Sequence, residues 1–334
     1  MSKVYINAMQ IERTEKDGLP QLIKSHQEWR HFEALLQECL REQGHEVIVQ
    51  VYHPDEAEES QGAPFKIYAH VTFREEEGDL FYKDMHLPEL YTLDSRGWGA
   101  DDSRMREAPN LSGIDAQPAT AFCQQLAQRF LQNGQSKHEQ PPLDDSIDLP
   151  DDYIFAPLQR PNDYVNVHHS PIEVVDFIRL LGQWANKLRQ TIVVKAHPGN
   201  RADWEVMKTL EEVAYEHPYL QVVTANIHAL IRRSKGVITI NSGVGFESLI
   251  HGRPVVTLGR CDYQWVCHRV LDNKIEAAFD YIRQFDTQQL TRQYQFIYYY
   301  YHHHAYSLHP SELERTKRRL SQYLAQQIPA GVQL

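Results

Sequence analysis

Asn241-Ser242-Gly243-Val244-Gly245 stands between an apolar run, "GVITI", and an apolar helical pattern that begins with "FESLI". A hydroxyl flanked by glycines at such a corner suits an oxyanion. Gly243 and Gly245 let the backbone approach a ligand closely. The helix that follows offers unpaired N–H groups and the positive end of its dipole. The same residues also make a plain helix cap, with Ser242 or Asn241 accepting from first-turn amides. His197 ends another apolar run, "TIVVKAHPG", where its imidazole can donate to a phosphate or protonate a leaving group. Arg201 can reach the same place. Glu247 serves either as a partner of the helix dipole or as the acceptor of a ribose hydroxyl, and spacing does not separate the two. In the first half, "DSRGWGADDS" carries Asp94, Asp101 and Asp102. Displacement at a sugar needs a general base on the attacking alcohol. These carboxylates are candidates for it, and a solvated turn is the alternative.

The elements around these residues alternate. "YIFAPLQ", "TIVVKAHP", "LQVVT", "GVITIN" and "PVVTLG" read as strands, and helical patterns separate them. That order predicts an α/β fold with a parallel sheet covered on both faces. Ligands of such sheets bind beyond the carboxyl ends of the strands. Gln159, His197, Thr224, Asn241 and Gly259 are the residues met there. Ser170 and Pro171 read as the N-cap and first residue of the helix after "YIFAPLQ".

The first half begins β–α–β, with a helix over 27–42 that Gly44 stops. "FKIYAHVTF" and "GDLFYKDMH" suggest a strand pair turning at 75–78. A helix over 117–133 precedes a polar, proline-containing stretch, 134–152, read as the interdomain linker. The expected domains are therefore 1–140, a linker at 141–152, 153–286, and a helical tail at 287–334 that packs back across both. In "YYYYHHHAY" the adjacent His302, His303 and His304 splay apart on a helix, so no shared metal is expected.

With 34 basic against 45 acidic residues among 334, the net charge of −11 argues against nucleic-acid binding. Two domains are the default at this length. The N-terminus has no apolar signal segment, and no stretch is apolar enough to span a bilayer. Four scattered cysteines fit reduced thiols, so a cytoplasmic protein is expected.

Taken together, "FAPLQRPNDY", "VVKAHPG" and "ITINSGVGFESLIHGRPVVTLGRCDY" resemble the capsule polysaccharide biosynthesis family, which contains bacterial β-Kdo transferases. The resemblance runs from about residue 152 to 270 and is loose in the first half, at "LYTLDSRGWGADDS". It implies a GT-B fold, two Rossmann-like domains facing across a cleft with the nucleotide donor on the second. It implies His197 on the donor phosphate with Ser242 and Gly243 beside it, Gln159 at the cleft edge, and Glu247 near the nucleotide. An aspartate of the first domain would be the base, and neither metal nor cofactor would be needed. The donor implied is a nucleotide sugar, CMP-Kdo by first choice, and the acceptor a glycan or glycolipid. Work at the inner-membrane surface with capsule-assembly partners would follow. Two other readings stay open on the residues: a CDP-polyol phosphotransferase of the teichoic-acid type, and a non-catalytic module that binds glycan or an export partner.

Overall fold

The computed structural model describes residues 2–9, 14–16, 19–21, 24–52, 65–69, 79–144, 146–270 and 275–328. The turn expected at 75–78 and the polar loop over 55–64 lie outside them. In chain order the first strands are β1 (Lys3–Met9), β2 (Thr14–Lys16) and β3 (Leu19–Gln21). Helix α1 (Lys24–Glu42) leads to β4 (Glu46–Tyr52), β5 (Lys66–Ala69), β6 (Asp79–Asp84) and β7 (Leu90–Asp94). Then α2 (Ala116–Asn133) precedes β8 (Tyr153–Pro157), α3 (Tyr164–His169), α4 (Val174–Leu188) and β9 (Thr191–Lys195). There follow α5 (Trp204–Glu216), β10 (Leu220–Val222), α6 (Ile227–Arg233) and β11 (Gly236–Thr239). Helix α7 (Gly243–Ile250), β12 (Val255–Thr257), β13 (His268–Arg269), α8 (Ile275–Arg283) and α9 (Thr287–Tyr299) come next. A short strand, β14 (Tyr306–Ser307), and α10 (Leu313–Gln327) end the order.

These elements form two compact units, residues 1–107 with 301–334 and residues 108–300. The grouping differs from the boundaries expected from sequence, because α2 and the stretch after it belong to the second unit. Asn226 explains part of this: its Nδ2 donates to Gly134 O and Pro141 O, both at 2.9 Å, which ties the supposed linker to α6. The tail is divided as well. Helix α9 stays in the second unit, and a π-turn over Tyr300–His304 then ends helical geometry before β14 and α10 join the first.

The first unit holds a sheet in the order β14-β7-β6-β5-β1-β4. Its β1, β4, β5 and β6 run parallel, β7 is added antiparallel at one edge, and β14 pairs antiparallel with β7. The pair read as a hairpin, β5 with β6, is thus parallel, and the tight return is instead between β6 and β7. Val4, Ile6, Phe32, Leu36, Ile67 and Leu93 lie in its core, with Leu320 and Leu324 of α10. The second unit has the order β10-β9-β8-β11-β12-β13, parallel throughout. The inner strands β8, β9, β11 and β12 are almost wholly buried, as expected of a sheet covered on both faces, and the edge strands β10 and β13 are less so. The chain leaves β8 outward through β9 and β10, then returns to β8's other side as β11. That reversal makes the crevice between the carboxyl ends of β8 and β11 the switch point where a doubly wound sheet takes its ligand.

One local expectation is corrected. Ser170 follows α3 instead of capping α4: its Oγ accepts from Ile172 N at 3.1 Å, and the extended Glu173 precedes α4. Pro171 and Ile172 form the turn between the two helices.

Candidate functional site

At the switch point Gln159 and Asn241 hold each other. Gln159 Nε2 donates to Asn241 Oδ1 at 2.8 Å, and Asn241 N donates to Gln159 Oε1 at 3.1 Å. Asn241 Nδ2 then reaches Val165 O at 2.8 Å, and Asn200 Nδ2 reaches Gln159 O at 2.9 Å. Both amides are spent on joining the strand ends, so they shape the crevice floor. Ser242 caps α7, its Oγ accepting from Val244 N at 3.2 Å, which leaves its own O–H to donate elsewhere. Gly243 opens α7. The close approach that Gly245 permits is to an aromatic ring, since a Cβ there would meet Tyr263 Cζ at 2.9 Å. The Tyr263 hydroxyl in turn donates to Ser242 O and holds the corner from below.

His197 lies one strand over from β8, at the end of β9. Gly199 N donates to its Nδ1 at 3.0 Å. A ring nitrogen that accepts carries no proton, so the proton of the neutral ring sits on Nε2. Burial lowers the His197 pKa, and Arg160 and Lys195 lower it further against the pull of Asp163. His197 is therefore a neutral donor at physiological pH. Arg160 follows Gln159 and lies over Gly199, where a Cβ would meet Arg160 Cδ at 2.8 Å. Beside them a shallow cleft of about 210 Å³ is lined by Arg160, Pro161, Asn162, Gly199, Asn200 and Asp203. Arg201 is in the turn over Pro198–Ala202, and its side chain is outside the described set.

Behind this surface Glu247 joins a buried polar group whose partners in residues 134–140 and in α6 went unread in the sequence. Lys195 is 8% exposed and donates to Gln140 Oε1 at 2.6 Å. Glu247 is 3% exposed and accepts from Ser136 Oγ at 2.8 Å. Burial pushes the Glu247 carboxyl up to about 8, against the opposing effects of Ser136, Lys195 and Lys137. His228 Nε2 donates to Gln135 O at 2.6 Å, and its Nδ1 lies 3.0 Å from His251 Nε2. A carbonyl only accepts, so the His228 proton is on Nε2 and His251 donates to Nδ1. The signal for this group was present in "SKHEQ", but a stretch so poor in apolar residues reads as a linker.

His251 yields a pH prediction. Burial, with help from His228, Arg253 and Arg232, lowers its pKa from 6.5 to about 3. The unfolded chain then takes up a proton below pH 6.5 that the folded chain refuses, so stability falls as pH drops from 6.5 towards 3. Replacing the ring in His251→Gln should remove about 1 to 2 kcal/mol of acid sensitivity at pH 5. Urea midpoints of parent and variant, compared at pH 5 and 8, check this, and parallel midpoints would refute it.

The carboxylates of the first unit form a separate cluster. Asp94 ends β7, is fully buried, and accepts from Arg96 N at 2.8 Å, Ser103 N at 2.9 Å and Ser103 Oγ at 2.6 Å. It thereby closes the loop over 95–103 on itself. Asp102, also fully buried, accepts from Arg104 N at 2.9 Å and faces His304 Nε2 at 3.3 Å. Burial pushes its carboxyl up to about 7, with Asp94 adding to the rise and Arg104 opposing it. Asp101 is half-buried in the short 3-10 turn between them. The histidines of the π-turn separate as their spacing requires: His304 turns to Asp102, and His302 Nδ1 lies 3.4 Å from Glu312 Oε2.

With this geometry in place, the matches to known proteins become interpretable. Residues 116–267 match the family described as capsule polysaccharide biosynthesis protein. The matched capsule-biosynthesis region begins at α2, in agreement with the second unit's start and not with a boundary after residue 140. Protein FixF of Sinorhizobium fredii is 30% identical over 190 residues, which is 55% of this chain and 43% of that protein. Capsule polysaccharide modification protein LipB of Neisseria meningitidis is 31% identical over 120 residues, 33% of this chain and 29% of that protein. The matched part thus spans less than half the length of these curated relatives. Among solved structures, the beta Kdo 2,7 transferase of Thermosulfurimonas dismutans KpsC superposes with a TM-score of 0.52 at 14% identity, covering 97% of this chain and 98% of that one. The beta Kdo 2,4 transferase of the same protein gives 0.51 at 13%, covering 86% and 93%. The fold is accordingly GT-B-like, with a Rossmann-like sheet in each unit. Among the described residues no helix is long and apolar enough to cross a membrane.

Proposed function

We propose that the chain is a glycosyltransferase of surface-polysaccharide synthesis, taking an acidic sugar, Kdo, from its CMP-linked donor. One observation carries the reading: His197 Nε2–H, the Ser242 hydroxyl, the Gly243 amide that opens α7 and Arg160 all stand at the carboxyl ends of the neighbouring strands β9, β11 and β8. Together they would hold the departing phosphate and stabilise the charge it gains, the task a metal ion performs in other designs. The family match and the names of the structural neighbours support a sugar-transfer role. The acceptor-side base would come from Asp94, Asp101 and Asp102, of which Asp102 has a proton affinity near working pH. The acceptor would be a glycan or glycolipid reached at a membrane surface.

Thermal-shift titration with CMP, CDP, UDP and GDP tests this. A cytidine nucleotide at about 100 times its Kd should add roughly 2.7 kcal/mol of stability, and the other bases much less. His197→Ala and Ser242→Ala should each abolish the shift. If no nucleotide stabilises the protein, the donor site is not where we place it.

A further inference from the structure

The stretch from Gly134 to Pro141 is pinned at several points. Asn226 holds the carbonyls of Gly134 and Pro141, His228 holds that of Gln135, Ser136 bonds Glu247, and Lys195 bonds Gln140. Three elements of the second unit, β9, α6 and α7, therefore fix a segment with no regular structure of its own. Between these pins the exposed His138 sets its ring against that of His197, with centroids 4.8 Å apart and planes at 80°. His197 has a hydrogen bond on one ring nitrogen, from Gly199, and that bond alone leaves the ring free to rock about it. An edge-to-face neighbour removes the freedom.

We propose that His138 is a positioning residue: its ring holds the His197 imidazole with Nε2–H turned to the ligand. The anchoring of residues 134–141 then has a purpose, because a ring on a loose linker could not orient another. The inference rests on the reading that His197 meets the donor phosphate, but the ring contact can be measured without it. His138 touches no reacting atom in this scheme. It acts by keeping the donor aimed, and misaimed donors lose rate more than binding.

The full-length chain is labelled with 15N-histidine and compared with His138→Ala and His138→Phe, the His197 signals being assigned from His197→Ala. In the parent and in His138→Phe the His197 ring should show one tautomer, protonated at Nε2. In His138→Ala the ring can rock off the Gly199 amide that fixes its tautomer, so its nitrogen shifts should move towards a tautomer average. Turnover with the CMP-linked sugar should fall about tenfold in kcat for His138→Ala, with KM changed less than about twofold, and should recover in His138→Phe. Unchanged His197 signals in His138→Ala overturn the proposal. So does a His138→Phe variant as slow as His138→Ala, because His138 would then be acting through its nitrogens. Should the parent transfer no sugar at all, the functional reading fails, and the nitrogen shifts still decide whether His138 orients His197.

Discussion

Glu247→Gln is expected to stabilise the protein at neutral pH, by about 3 kcal/mol at pH 7, and to leave it unchanged near pH 4.5. The reason is the carboxyl's surroundings. Ser136 serves Oε1, and Oε2 has no hydrogen-bond partner among the described residues. His228 Nε2 lies 3.8 Å from Oε2, but its proton is committed to Gln135. Lys195 and Lys137 favour the ionised form, and burial outweighs them, so the folded group titrates near 8 against 4.5 when unfolded. Between these values the unfolded chain releases a proton that the folded chain keeps. Stability is therefore full below pH 4.5 and is lost as pH rises towards 8. An amide accepts from Ser136 as well as the acid does and has nothing to ionise. Urea unfolding at pH 4.5 and 7.5 tests it. Equal stability of parent and variant at both would mean that the carboxyl binds its proton equally well folded and unfolded, and a variant less stable at pH 7.5 would mean that Glu247 is ionised and paired. A group held at such a cost beside a ligand crevice fits a functional duty, and on the proposed reading the same variant should weaken cytidine-nucleotide binding about tenfold.

The second unit was legible because its signals are local. Each strand is a short apolar run of β-branched residues, each is followed by a helical period, and polar residues mark the ends. His197 and Ser242 stand where that rule puts them, and Arg160, one residue past Gln159, was passed over. What escaped were features made by contacts distant in sequence. Gln159 and Asn241 look like ligand residues at strand ends, and only their mutual hydrogen bonds show them to be a floor. Residues 134–140 lack apolar side chains because their anchors are carbonyls and polar groups held by Asn226, His228, Lys195 and Glu247. No periodicity encodes that. The parallel β5–β6 pair was misread for a similar reason: alternation reports which face is buried, and says nothing of strand direction.

Asp94→Asn and Asp102→Asn should fail in different ways. Asp94 offers oxygens to two backbone amides and the Ser103 hydroxyl, and Arg104 Nε lies 3.6 Å from its Oδ2. An asparagine must turn an NH2 towards groups that donate, whichever way it sits. The loop over 95–103 would lose its latch, at about 2 to 4 kcal/mol for buried donors left without an acceptor. Loss of turnover in this variant would follow from loss of the loop. Asp102 is different, because its proton affinity sits at about 7. If it removes the acceptor's proton, kcat/KM of the parent should rise with pH through about 7, since a base works only when deprotonated. Asp102→Asn should stay folded, lose about 10²- to 10⁴-fold in rate, and show no such rise in what activity remains. Melting curves and pH–rate profiles of the two variants separate the roles. An Asp94→Asn chain that melts with the parent yet turns nothing over would make Asp94 the base, and an active Asp102→Asn would remove Asp102 from the chemistry.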